Sequence, residues 1–189
     1  MVNCMLDNLI IKYASPTLAN IKTGSLFKVY KKSCNNLQDE IKNYNLIYNP
    51  LDLYFEIIYS CDKYYLIYIY RLSLLIIDIN NKTIKEFLNY YNYNGDSIEE
   101  YITCLKNRFS LFNKTPHEIG VFLGYPLNDV KSFIKYKGKN FKICGCWKVY
   151  HDDISCLEKF EKFKLYRDKF LYLYDQGYSL EYILKLSSN

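Results

Sequence analysis

The stretch "LYFEIIYSCDKYYLIYIYR", Leu53 to Arg71, decides how the chain folds. Two runs rich in aromatic and β-branched residues, Leu53–Ser60 and Tyr64–Arg71, flank a short polar break at Cys61-Asp62-Lys63. Strand formers on both sides of a tight turn predict a β-hairpin. With Asp62-Lys63 as the turn, side-chain alternation puts Glu56 and Arg71 on one sheet face. There they would form either a surface ion pair or part of a pocket wall.

Working outward, "SLFKVY" (Ser25–Tyr30) reads as a further short strand. Before it, a helix around Leu6–Lys12 gives way to an irregular segment from Ser15 to Phe27, punctuated by Pro16 and Gly24. That segment is either a loop shaping a site or a structural cover for one sheet edge. Asn35–Asn45 reads as a helix ending before Asn49-Pro50. Thr83 and Ser97 each precede an acid by three residues, the capping-box pattern, and Ile102, Leu105 and Phe109 then share one helical face. The apolar run "IGVFLGY" reads as a strand buried on both sides. Pro126 opens a helix carrying Val130, Phe133 and Ile134 inward, and Gly138 ends it. "NFKICGCWKVYH" alternates as one strand with Trp147 and Val149 on its dry face. A long helix follows from about Asp153 to Asp175, then a short one from Ser179. The expected class is α+β: a small, mainly antiparallel sheet of about four or five strands, helices packed on it, and a long C-terminal helix.

No repeat or composition break divides the 189 residues, so one domain spanning 1–189 is expected. The net charge is +5, but lysines and acids are interspersed. The basic clusters at Lys28–Lys32 and Lys131–Lys142 are short, which argues against nucleic-acid binding, since that needs a continuous stripe of phosphate contacts. The start of the chain does not resemble a signal peptide, and the longest apolar stretch, Leu72–Ile79, is too short to span a bilayer. Seven irregularly spaced cysteines suit a reducing compartment, so a cytoplasmic protein is expected. Twenty-two tyrosines make much of the core and its rim.

The sharpest local feature is His117-Glu118 at the head of "HEIGVFLGYPLNDV". Adjacent strand residues project to opposite faces, so the pair would not act on one atom without an irregular turn. A zinc-protease helix needs a second His four residues on, where Val121 stands. The plain reading is a His capping a loop, with Glu118 satisfying a neighbouring helix or Arg71; a pocket role and acid–base catalysis by His117 or Glu118 stay open beside it. Cys144, Cys146 and His151 are weak metal candidates, because two thiols and an imidazole leave a fourth zinc position unfilled. Lys142 and Lys148 could make one of those thiols reactive. Asp129, near a helix start, reads as a complement to the helix dipole.

In the same order, "SPTLANIKTGSLF", Tyr68–Arg71, "PHEIGVFLGYPLNDVKSFI" and "GCWKVY" resemble a bacterial family of unknown function typical of clostridia and other anaerobes. The resemblance spans nearly the whole chain and implies no reaction or cofactor. Members of that family often read Cys-Ala-Pro-Thr-Leu-Ala-Gly where this chain has Ala14 to Asn20, and often have Tyr in place of Cys146. A cysteine mechanism at the first motif would lack its nucleophile here, with Ser15 a weak substitute needing a base within reach.

Two classes of function follow. The first is a domain binding a small molecule or partner in a polar pocket around His117. In it, Lys22 or Arg71 would hold an anionic group, and Trp147 and Tyr150 would form the wall. The second is a thiol-hydrolase-like enzyme, degenerate at its nucleophile, with His117 the former base. Iron or haem handling through His117, His151 or tyrosines is a third expectation.

Overall fold

The computed structural model describes residues 4–34, 36–112 and 115–187. In chain order the elements are α1 (Cys4–Leu18), β1 (Gly24–Tyr30), α2 (Leu37–Tyr48), β2 (Leu53–Ser60), β3 (Tyr64–Arg71), α3 (Leu72–Asn80) and α4 (Lys82–Asn89). They continue with α5 (Ile98–Phe112), α6 (Ile119–Phe122), α7 (Leu127–Tyr136), β4 (Ile143–Cys144), β5 (Lys148–Val149), α8 (Asp153–Asp175) and α9 (Leu180–Ser187). The fold is α+β, with a three-stranded antiparallel sheet in the order β1-β3-β2 and a separate two-stranded ribbon, β4-β5.

β3 lies at the centre of the sheet and is buried on both faces. Ile67 and Ile69 join Phe27, Leu53 and Phe55 in a core covered by α1, α2 and α9. Leu66, Tyr68 and Tyr70 join Leu75, Leu105 and Phe122 in a second core beneath α3, α5 and α6. Both hairpin strands form where the sequence predicts, but the pairing carries a bulge. Ile57 faces Ile67 and Tyr59 faces Leu66, so Ile58 is an extra residue. One inserted residue swaps the faces of everything beyond it. Arg71 therefore stands opposite Leu53, while Glu56 stands opposite Tyr68 on the other face and accepts from Lys106 Nζ at 2.7 Å. The expected shared face of Glu56 and Arg71 is corrected by this bulge.

Four other expectations change. α1 continues through Ser15, Pro16 and Thr17, so the irregular segment shrinks to a short link before β1. Pro16 sits in the last turn, and Asn20, with φ 57°, bends the chain away. The run "IGVFLGY" forms a single buried helical turn and a tight turn instead of a strand; a short apolar run has no periodicity to separate the two. "NFKICGCWKVYH" folds back on itself at Gly145-Cys146-Trp147, giving two very short strands instead of one. Of the two capping boxes, Ser97 and Glu100 form theirs reciprocally, whereas Asn81 caps α4 in place of Thr83. The expected start of α2 at Asn35 lies outside the described residues.

One buried acid in the first core makes a pH-dependent contribution. Asp7 on α1 is 2 % exposed and accepts from the Tyr44 hydroxyl at 2.5 Å. Burial pushes its carboxyl above the usual range, and the Tyr44 hydrogen bond opposes that only in part. A carboxyl raised in the folded state favours folding below its unfolded pKa of about 3.9, and that contribution is lost as pH rises through the folded value. Asp7→Asn keeps an acceptor for Tyr44 and removes the titration. Urea unfolding of both proteins across acidic pH should therefore show the wild type losing ground to the variant as pH rises, then a constant gap. Parallel stability curves would contradict this account of Asp7.

Candidate functional site

A buried side chain anchors the ribbon β4-β5 to α7. Asp129 occupies the third position of α7, is 3 % exposed, and accepts from Trp147 Nε1 and from the Tyr150 backbone N–H, both at 2.9 Å. A buried carboxylate holding two N–H donors is a strong anchor, because hydrogen bonds to a charged group count for more than neutral ones. Trp147 is then stacked on Tyr125, with centroids 5.1 Å apart, and edge-on to Phe160 of α8 at 4.6 Å. Gly145 permits this approach: a Cβ there would come within 2.2 Å of the Phe160 ring. Gly120 does the same on the other side, where a Cβ would meet Val130 at 2.7 Å.

Between α6, α7 and the ribbon lies a cavity of about 340 Å³. Its walls are chiefly apolar, from Ile119, Val130, Phe133 and Trp147, with His117 and the segment Cys144 to Lys148 at the edge. His117 and Glu118 part company here. Glu118 turns inward, 2 % exposed, pairs with Arg108 of α5 and accepts from the Tyr93 hydroxyl at 3.2 Å. His117 turns outward, its ring edge-on to Phe133 at 5.1 Å, with no hydrogen bond to either ring nitrogen among the described residues. The tight turn before α6 separates them, and only the imidazole reaches the cavity.

The other expected site residues divide by position. Cys144 and Cys146 line the cavity beside His117 and Trp147. Partial burial pushes the Cys146 thiol up, and the nearby Lys22 and Arg167 charges pull the other way. Lys22 lines a neighbouring cleft that shares Tyr125 and Cys146 with the cavity. Tyr150 packs behind the site, stacked on Tyr136, and its hydroxyl has no hydrogen-bond partner among the described residues.

Arg71 does not reach the cavity. Its Nε donates to the Thr17 carbonyl at 2.9 Å, its Nη1 to Leu51 at 2.7 Å, and its Nη2 to Leu18. The guanidinium caps the end of α1, where the last carbonyls of a helix lack intrahelical partners. Ser15 is fully buried in α1 and its hydroxyl donates to the Ile11 carbonyl, away from His117. The pairing of Ser15 with a His117 base is therefore absent, since continuing the helix turned that hydroxyl back on its own backbone. His151 points elsewhere, its Nε2 2.9 Å from Ser132 Oγ. Among the described residues, no group of three or more His, Cys, Asp or Glu side chains could hold a metal ion.

Sequence reasoning missed the anchoring role of Asp129, because its helix-start position already accounted for an acid. The partner indole lies across a chain reversal that alternation did not reveal. No curated protein and no solved structure matches the chain. A family model matches residues 10–184, nearly the whole length, and by that match the chain belongs to the family described as "Protein of unknown function (DUF3793)".

Proposed function

We propose that this protein is a cytoplasmic, single-domain binding module whose ligand occupies the cavity between α6, α7 and the β4-β5 ribbon. The supporting observation is the cavity itself: about 340 Å³, mostly apolar, with the imidazole of His117, which forms no hydrogen bond among the described residues, at its edge. That size and lining suit a small, flat, largely apolar molecule with one polar group, the usual chemistry of a preformed ligand site. His117 would exchange a hydrogen bond with the polar group, and Trp147 would face the flat body. No helix among the described residues is long and apolar enough to cross a membrane, and the proposal involves neither membrane nor nucleic acid. The clostridial setting and the motif from Pro116 to Tyr150 belong to the same proposal.

Trp147 is the only tryptophan in the chain and lines the cavity, so its fluorescence reports on the wall of this site. Titration with planar heteroaromatic fragments should give saturable changes in its emission, and native mass spectrometry of protein from its own host should show a retained small molecule. His117→Ala should weaken the best fragment about tenfold, as expected for one lost hydrogen bond. Absence of both a retained molecule and any saturable response would remove the reading.

A further inference from the structure

We propose that the cleft around Lys22 is a second binding site, for the phosphoryl group of a small phosphate monoester. The cleft holds about 220 Å³ and is bounded by α1, the link before β1, Tyr125 and α8. Four cations line it: Lys12 from α1, Lys22 from the link, and Lys164 and Arg167 from α8. No Asp or Glu lines it, and among the described residues Lys12, Lys22 and Lys164 form no ion pair. Arg167 donates Nε and Nη2 to its neighbour Asp168, at 3.1 and 3.0 Å, which leaves Nη1 for another acceptor.

Like charges gathered in one recess repel each other, and the repulsion grows as water is excluded. Lys22 is desolvated as well. Its ammonium sits 5.3 Å from the Tyr125 ring centroid, and burial pulls it down to about 8, with Cys146 nearby opposing the shift. A bound anion would supply the missing counter-charge. Donors arriving from three elements suit a tetrahedral dianion with several oxygens better than a planar carboxylate, which one arginine fork can satisfy. Tyr13, Tyr125, Phe160 and Phe163 form apolar walls, so the rest of the ligand would be small and flat. This site stands independently of the His117 cavity, although Tyr125 and Cys146 separate the two.

Isothermal titration with phenyl phosphate, inorganic phosphate and benzoate tests the assignment. Phenyl phosphate should bind saturably in the millimolar range or tighter, more strongly than benzoate. Lys22→Gln should weaken it at least tenfold, and Lys164→Gln, an exposed change with little risk to folding, by a few-fold. The binding that Lys22→Gln weakens should persist in His117→Ala, which separates this site from the cavity. Inorganic phosphate binding more tightly than the ester would keep the phosphoryl site and identify its occupant as the free ion. Binding of benzoate equal to that of phenyl phosphate, no saturable binding of either phosphate, or binding unaffected by Lys22→Gln would overturn the proposal.

Discussion

Arg71→Met will destabilise the protein by about 2–4 kcal/mol, and its thermal midpoint will fall by roughly 10 °C. The guanidinium is 8 % exposed, and its three donors serve carbonyls from two segments, Thr17 and Leu18 at the end of α1 and Leu51 ahead of β2. Removing it takes the donor from the buried Leu18 carbonyl and from the part-buried Leu51 carbonyl, while the Thr17 carbonyl keeps the Asn20 N–H. A buried acceptor left unpaired costs about 1–3 kcal/mol before relaxation. Met fills a similar volume, so the loss reports on the hydrogen bonds more than on a cavity. Arg71→Lys should recover only a small part, because a single ammonium cannot reach three carbonyls held in a fork. Urea unfolding measures both variants. A change below about 1 kcal/mol in Arg71→Met would mean that the end of α1 is satisfied in another way.

Asp129→Ala should cost about 2–4 kcal/mol and release the ribbon from α7. Two buried donors, the Trp147 indole and the Tyr150 N–H, lose their acceptor together. Trp147 emission should shift to longer wavelength as its ring meets water, and any ligand of the His117 cavity should be lost. Asp129→Asn keeps one acceptor oxygen but presents an amide N–H to the other donor, so its effect should be about half as large. Unchanged emission with stability within about 0.5 kcal/mol of wild type would show that the ribbon is held without Asp129, by stacking on Tyr125 and Phe160 and by the hydrogen bonds to the Cys146 and Gly138 carbonyls.

Local chemistry made much of the architecture legible. The hairpin strands, the capping box at Ser97, the helix opened by Pro126 and the 23-residue α8 each carry a pattern long or specific enough to exclude alternatives. The errors fall where a pattern is short or where one residue changes the phase. Ile119 to Phe122 is four buried apolar residues, too few to show a period of two or of 3.6. Ile58 is a single insertion, yet it sends Arg71 and Glu56 to opposite faces. Gly145-Cys146-Trp147 lacks the usual Asn-Gly or Asp-Gly of a tight hairpin, so the chain reversal there had no local marker.

The site was legible in part. His117 and Trp147 stood out as rare residues in a polar–aromatic setting, and they line one cavity. Lys22 stood out as well, but it borders the neighbouring cleft. The amino-acid order alone specified the class of fold, the long helices and the central pair of strands, because these rest on hydrogen bonds and periodic burial between residues near in the chain. Which way Glu118 and His117 turn, what Arg71 holds and where Asp129 anchors the ribbon depended on contacts between residues 10 to 54 positions apart. Those contacts arise only when two cores close on opposite faces of one sheet, since a buried polar group takes whichever partner the packing brings within reach.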